Sequence, residues 1–390
     1  MVEVTMKTPE WSVYNPQGRR RVIVTKALPG TSWLNILTAA HCRVEVCASE
    51  VVLDEAAIRA AISIRCDGAI GQLTESWHQA LFAALKNAGG IVYSNYAVGY
   101  NNVDVGAATR HGILVGNTPG VLTETTAEMA VALTFAAARR VGEAERFLRA
   151  GKFDGWLPNL LLGSRLWRGT VGVIGAGRIG AAYARMMVEG LKMNLTYYSP
   201  HANDQLEEAI AAYRRFLISR GELPVSCRRA QTIEELLAAA DCVSIHSALT
   251  SETRHLIDAR RLSLMKPDAL LINTSRGPLV DEAALTAHCR SHPEFRAGLD
   301  VFEEEPRLSP GLEDLENVVI VPHIASATRW TREGMATLAA ANVAGVLLGY
   351  PPWDRGDIAP FLSDPTPNAA PSLINAAALA YKGATPHAMA

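Results

Sequence analysis

The sequence predicts an α/β protein with parallel sheets, laid out in two successive series of strands and helices. Three observations predict it. Short apolar runs alternate with helix-like stretches from residue 21 onward, which is the pattern of βαβ units. A second alternating series runs from Val171 to about His323. That series opens on a Gly-x-Gly-x-x-Gly turn set between a strand and a helix. The 390 residues, 49% hydrophobic and 19% charged, have ordinary globular composition and suffice for two or three buried cores.

In the first series, Arg21–Thr25 reads as a strand and Trp33–Ala40 as a helix. Cys42–Cys47 is the next strand, and Asp54–Ile64 a helix opened by an acidic cap. Asp67–Leu73 is a strand containing glycine. Glu75–Ala88 is a helix closed by Gly89-Gly90. Ile91–Asn95 and Ile113–Val115 are two more short strands. Thr125-Thr126-Ala127-Glu128 fits a capping box and predicts one long Ala-rich helix to about Ala150, ended by Gly151. Such a helix is long enough to pass from one domain to the next. A loop containing Gly155-Trp156-Leu157-Pro158 follows.

The second series begins with strand Val171–Ile174, helix Ile179–Glu189 and strand Leu195–Tyr198. A polar helical insertion lies near Asp204–Arg220, and another helix spans Thr331–Leu348. The tail from Pro351 is rich in Pro and Ala. It holds a short helical candidate, Ser372–Ala380, and then reads as extended or disordered. No internal repeat of fixed period is present.

Composition narrows the function. A formal net charge of −2 gives no reason to expect nucleic acid or an anionic membrane as partner. Arg19-Arg20-Arg21 reads as a solvated strand entry. The six cysteines, Cys42, Cys47, Cys66, Cys227, Cys242 and Cys289, form no CxxC pair and have no histidine at zinc-like spacing. They read as reduced thiols, and no metal site is expected. No apolar run approaches the roughly 18 residues of a membrane span. The start of the chain carries Glu3 and Glu10 and lacks a secretory apolar stretch. A soluble intracellular protein is expected.

The turn Gly175-Ala176-Gly177-Arg178-Ile179-Gly180 carries the first chemistry. Gly175 permits a tight turn, Gly177 lets backbone approach a pyrophosphate, and Gly180 lets the helix pack on the strand. The N–H groups near Arg178 and Ile179 then face an anion. A dinucleotide is expected. An acid usually follows the second strand, to hold the ribose 2′-hydroxyl. Here Ser199 follows Tyr198. Without a carboxylate a 2′-phosphate is not repelled, yet no arginine stands there to bind one. NADH is the expected cofactor, with weakened discrimination against NADPH.

Three strand ends supply the rest. Ala269–Gly277 ends a strand and presents Arg276, whose guanidinium can grip a carboxylate with two parallel hydrogen bonds. Ala297–Pro306 runs into acids: Asp300 suits a nicotinamide carboxamide, and one of the glutamates can pair with a histidine. Val318–Ser326 runs into Pro322-His323, and a histidine there can give a proton to a developing alkoxide. Each segment alone also reads as an ordinary turn. Together, after a dinucleotide turn, they predict hydride reduction of a short 2-keto acid.

Longer stretches carry a resemblance. They are Ile70–Glu75, Ala97–Asp104, Gly116–Glu128, Gly151–Asn159, Val173–Gly180, Tyr183–Gly190 and Pro322–Ala327. On them the chain resembles the D-isomer-specific 2-hydroxyacid dehydrogenase family over nearly its whole length, most of all its plant-type hydroxypyruvate reductases. The resemblance implies reduction of hydroxypyruvate to D-glycerate, and of glyoxylate to glycolate. It implies that Arg276 binds substrate carboxylate and carbonyl, that His323 is the general acid/base and that Glu305 is its partner. Asp300 would hold the carboxamide. The Val98 and Gly99 N–H groups would meet the substrate carboxylate, and Leu73 would line the same pocket. Ser247, Thr274 and Ser275 would lie along the cofactor.

The resemblance further implies two doubly wound domains, Rossmann-like and flavodoxin-like, with a cleft between them. Residues 1–121 with 325–390 would form the substrate domain and 122–324 the cofactor domain. A homodimer is implied through the cofactor domain, with helix 125–150 and the loop to Trp167 as candidates. A peroxisomal place is implied too, although the last residues, Ala388-Met389-Ala390, are not Ser-Lys-Leu. Mitochondrion and cytosol stay open on that ground. A nucleotide-sensing binding protein of co-repressor type, or a family dehydrogenase for another keto acid, stays open as an alternative.

Overall fold

The structure is a computed structural model that describes residues 10–383. Glu3 and the terminal Ala388-Met389-Ala390 lie outside the described residues. The chain forms two compact units, Met1–Leu122 with Thr328–Ala390, and Thr123–Ala327.

In the first unit the strands are β1 (Trp11–Tyr14), β2 (Arg20–Val24), β3 (Cys42–Cys47), β4 (Gly68–Gly71), β5 (Val92–Asn95) and β6 (Leu114–Gly116). The helices between them are α1 (Ser32–Ala39), α2 (Glu55–Ile62), α3 (Gln79–Asn87) and α4 (Val105–Arg110). The sheet order is β1-β3-β2-β4-β5-β6. Its five parallel strands follow the flavodoxin-like winding, and β1 adds an antiparallel edge on β3. Strands β4, β5 and β6 are wholly buried, as expected where both faces of a parallel sheet are covered. Strand β1 was not predicted: three of its four residues are exposed, so it lacks an apolar signal.

Arg21 departs from the solvated reading. Its guanidinium donates to the carbonyls of Ala61 (2.7 Å), Ile62 (2.9 Å) and Arg65 (2.6 Å) and to Glu45 (2.5 Å). It thus satisfies carbonyls at the end of α2, a common use of a cation. Asp54 caps the other end of α2 as predicted, accepting from the Ala57 N–H.

Helix Arg329–Leu347 also belongs to this unit and is buried from Gly334 to its end. Inside it, Asn342 Nδ2 donates to the Asn117 carbonyl at 2.9 Å, and its Oδ1 accepts from the Ser372 N–H at 2.8 Å. The predicted helix Ser372–Ala380 is instead a bridge and a run of turns. The tail is ordered against β6. Leu373 bridges Gly116 antiparallel, the Ile374 N–H donates to the Val115 carbonyl, and Asn375 Oδ1 accepts from the Val115 N–H. Asn375 Nδ2 donates to the Ile113 carbonyl and Thr109 Oγ1, each at 2.9 Å. These polar contacts, not apolar periodicity, order the segment.

The second unit opens with α5 (Thr123–Ala138) and α6 (Val141–Arg149). The predicted single helix is therefore broken, and Thr125 lies inside α5 and not at its cap. The break has a cause. Arg140 adopts φ +54°, its guanidinium folds onto Glu143, and the Ser164 N–H takes the Ala138 carbonyl at 2.8 Å. The strands that follow are β7 (Thr170–Ile174), β8 (Asn194–Tyr198), β9 (Cys227–Arg229), β10 (Cys242–Ile245), β11 (Leu270–Asn273), β12 (Arg296–Leu299) and β13 (Val318–Ile320). The helices among them are α7 (Arg178–Leu191), α8 (Asp204–Ser219), α9 (Ile233–Ala239), α10 (Ala259–Leu262) and α11 (Glu282–Ser291).

All seven strands are parallel, in the order β13-β12-β11-β10-β7-β8-β9. The winding reverses between β7 and β10, so ligands belong at the carboxyl ends around that point. The six cysteines are free, and all but Cys227 are buried. Among the described residues no helix is long and apolar enough to cross a membrane.

Candidate active site

The glycine turn joins β7 to α7, and its three glycines differ in what they allow. Gly175 has φ +94°, and a Cβ there would lie 2.7 Å from the His246 carbonyl carbon. Only glycine meets both demands. A Cβ on Gly180 would lie 2.1 Å from the Gly175 carbonyl oxygen, so α7 packs directly on the turn. A Cβ on Gly177 would meet nothing within 4 Å. The space over Gly177 is open, and no side chain caps the α7 N-terminus just beyond it. Arg178 opens the helix, one residue before the predicted start, and with Ile179 directs N–H groups into that space.

Neighbouring strand ends line the same edge. Ser275 Oγ donates to the Ser247 carbonyl at 2.5 Å, and Ser247 Oγ to the Ile174 carbonyl at 3.5 Å. These serines lace β7, β10 and β11 together at their carboxyl ends. Thr274 Oγ1 is buried without a hydrogen-bond partner, and such a group costs free energy until something pairs with it. Open space over Gly177, an uncapped helix start and an orphaned hydroxyl are features that a dinucleotide would satisfy.

Arg276 follows β11. Its backbone carbonyl accepts from Asn273 Nδ2 at 2.8 Å, and Nη1 donates to the Ser275 carbonyl at 2.7 Å. Burial pulls its pKa down, while the Glu305 charge opposes this. Gly277 presses on the loop after β12: a Cβ there would lie 1.8 Å from the Phe302 carbonyl oxygen. Three residues further, Glu305 Oε1 accepts from the Phe302 N–H at 3.0 Å. Glu305 Oε2 lies 2.8 Å from His323 Nδ1. Burial pushes the Glu305 carboxyl up, but the His323 hydrogen bond and charge, the Phe302 N–H and the Arg276 charge outweigh it, and the net shift is downward. Of the three glutamates at 303–305, the histidine's partner is Glu305. Glu303 instead engages Arg254 and His255.

His323 has φ +52°, an uncommon state for a residue with a side chain. Asp300 holds it there. The Asp300 carbonyl accepts from the His323 N–H at 2.9 Å, and its carboxylate accepts from the Ile324 (2.6 Å) and Ala325 (2.9 Å) N–H groups. Asp300 is wholly buried. It fixes the turn that presents His323. His246 also ends a strand. Burial pushes its imidazole down to about 3, which makes it unsuited to giving a proton near neutral pH.

In the first unit, Leu73 lies in the turn after β4, and Val98 and Gly99 lie in the bend after β5. Asn117 Nδ2 donates to the Val98 carbonyl at 2.9 Å, and Asn95 Nδ2 to the Gly99 carbonyl at 3.0 Å. Asn102 Nδ2 reaches the Gln72 and Glu75 carbonyls, at 3.1 and 2.9 Å. The Val98 and Gly99 carbonyls are thus held by side chains. Their N–H groups make no hydrogen bond among the described residues.

Residues 131–325 match the family of D-isomer specific 2-hydroxyacid dehydrogenases, NAD binding domain. Glycerate dehydrogenase of Cucumis sativus is 56% identical over 377 residues, covering 96% of this chain and 99% of that one. The chain belongs to the D-isomer specific 2-hydroxyacid dehydrogenase family. The peroxisomal glycerate dehydrogenase HPR of Arabidopsis thaliana is also 56% identical, over 94% of this chain and 96% of its own. Among solved structures, an NADPH-dependent glyoxylate/hydroxypyruvate reductase of Sinorhizobium meliloti, in complex with NADP and malonate, superposes with a TM-score of 0.72 at 28% identity. It covers 94% of this chain and 99% of that one.

Within this dehydrogenase, reading the sequence missed four features. Gly277 and the asparagines 102 and 117 act through contacts between segments 19 residues or more apart. Asp300 also fixes the turn that presents His323. The fourth corrects an expectation: an arginine does stand at Ser199. Arg229, the last residue of β9, donates through Nη2 to the Ser199 carbonyl at 3.0 Å and the Pro200 carbonyl at 2.8 Å. It comes from the neighbouring strand, 30 residues on. A linear motif search around Tyr198 cannot find it.

Proposed function

We propose that this chain reduces short 2-keto acids to D-2-hydroxy acids, hydroxypyruvate to D-glycerate and glyoxylate to glycolate. The observation that carries the reading is the 2.8 Å pairing of His323 Nδ1 with Glu305, on a loop that Gly277 packs against Arg276. Gly175, Gly177, Arg178, Ile179 and Gly180 would hold the dinucleotide phosphates, with Ser199 at the ribose and Ser247, Thr274 and Ser275 along the body. When bound, the reduced nicotinamide supplies the hydride for the keto carbon. Arg276 grips the carboxylate and orients the carbonyl. The Val98 and Gly99 N–H groups are assigned to the same carboxylate, and Leu73 to the pocket wall. Glu305 holds the imidazole by Nδ1, and His323 delivers a proton to the carbonyl oxygen.

A second copy of the chain is the partner we assign to the second unit. Val141, Leu148, Phe153, Trp156, Leu157 and Leu162 are all exposed on α6 and the loop after it, a patch of the kind that subunit interfaces cover. Six free cysteines fit a compartment that keeps thiols reduced, and the Arabidopsis relative is peroxisomal.

A steady-state assay of NADH and NADPH consumption with hydroxypyruvate, glyoxylate and pyruvate tests the reading. Turnover with hydroxypyruvate is expected, and its absence would favour a nucleotide-sensing protein. His323→Ala should lower kcat by about 10²–10⁴-fold, the scale of a positioned general acid. Near-normal turnover in that variant would end the assignment.

A further inference from the structure

A dinucleotide on this kind of sheet presents its adenosine ribose at the carboxyl end of the second strand. Here that strand is β8, and Ser199 follows it directly. Serine is neutral, so nothing at this position repels a phosphate on the ribose 2′ oxygen. Arg229 is the cation beside it. Strand β9 pairs with β8 in parallel, and Arg229 stands opposite Tyr197.

The Arg229 guanidinium is set but not used up. Both of its hydrogen bonds leave from Nη2, to the Ser199 and Pro200 carbonyls. Its Nε and Nη1 donate to nothing among the described residues, and it forms no ion pair there. The residue is exposed. The loop it grips is fixed at the other end as well. Asn203 Nδ2 donates to the Ala176 carbonyl at 2.8 Å, inside the glycine turn, and the Asn203 N–H donates to the Tyr197 hydroxyl at 3.2 Å. Tyr197 in turn donates to Glu207 on α8. The loop therefore ties the glycine turn to a guanidinium with two nitrogens to spare.

We propose that Arg229 and Ser199 form a 2′-phosphate site, and that this chain binds the 2′-phosphorylated dinucleotide more tightly than the unphosphorylated one. The proposal rests on the reading above only for where the dinucleotide lies. A phosphate monoester carries most of two negative charges and accepts forked donation from a guanidinium. The Ser199 hydroxyl can donate to one of its oxygens. An aspartate at 199 would instead pair with Arg229 and repel the phosphate.

The test is calorimetric titration of the full chain with adenosine 2′,5′-bisphosphate and with adenosine 5′-monophosphate. The bisphosphate is expected to bind about 10–100-fold more tightly, the scale of one charged hydrogen-bonded contact. That advantage should shrink as salt is raised. Arg229→Gln should abolish the advantage while 5′-monophosphate affinity stays within about twofold. Ser199→Asp, which keeps Arg229 in place, should abolish it too and so guards against a misfolded Gln variant. Equal affinities in the unaltered chain would overturn the proposal. So would an Arg229→Gln variant that loses both nucleotides equally, because Arg229 would then only brace the loop. Failure of both nucleotides to bind the unaltered chain would overturn the dinucleotide reading and this proposal together. Failure of the bisphosphate advantage alone overturns only this one.

Discussion

Replacing Gly277 by alanine tests how the two halves of the catalytic set are held in register. A methyl group at Gly277 would sit 1.8 Å from the Phe302 carbonyl oxygen and 2.4 Å from the Glu303 nitrogen, where real Cβ contacts begin near 3.0 Å. The obstacle is backbone, so no side chain can swing aside. The Arg276 segment and the Phe302–Glu305 loop must part by about 1 Å or more. The backbone at Gly277 lies outside the left-handed region, so the contact alone forbids a side chain there. Overpacking of this kind costs about 1–3 kcal/mol, which lowers Tm by roughly 2–12 °C in a unit of this size. The same shift moves Glu305 against His323 and both against Arg276, and a misplacement of about 1 Å can cost roughly 100-fold in rate. Differential scanning fluorimetry and steady-state kinetics with hydroxypyruvate read the two effects. A Gly277→Ala enzyme with unaltered Tm and kcat/KM would refute the reasoning.

Gly177→Ala should show the opposite signature, an unchanged Tm with cofactor affinity lowered about tenfold or more, because its methyl group meets only the open space over the turn; a fall in Tm would contradict this. Asp300→Asn sets an amide N–H against a backbone donor, at Ile324 or Ala325. It should cost about 1.5–3 kcal/mol and lower kcat, and chemical denaturation with kinetics checks both. The Glu305 carboxyl is shifted down from its ordinary value, so its contribution to stability is fully present above the usual glutamate value of about 4.3 and is lost as pH falls through the lowered value. As pH is lowered from about 5, the Tm gap between the unaltered chain and Glu305→Gln should therefore hold and close only below about pH 4. A gap already closing near pH 6 would count against the pairing.

Much of the second unit was legible because its parallel strands are buried on both faces. Val171–Ile174 and Leu270–Ile272 are unbroken apolar runs, and residues that bear chemistry follow each within a few positions. The Gly175–Gly180 turn was legible for a steric reason, since two of its glycines touch backbone. What escaped depends on contacts across sequence distance. Arg229 reaches Ser199 sideways between paired strands. The Arg140 break in the long helix is made by a loop more than 20 residues on, through Leu162 and Ser164. Strand β1 has no apolar stripe, and the tail after Ser372 is ordered by amide groups that composition cannot rank. Glu305 could not be told from Glu303 and Glu304 by residue type, because the choice lies in which carboxylate the loop aims at His323.

The tail's grip on β6 has a consequence for self-association. Strand β6 is the last in its sheet, and such a strand offers bare N–H and C=O groups to any passing chain. Leu373, Ile374 and Asn375 occupy those groups at Gly116 and Val115, as a hem finishes a cut cloth. Trimming the chain before Ser372 would leave the residues in the second unit untouched while baring a ready template for β-pairing. The first symptom of such a cut would be clumping at high concentration rather than a slower reaction.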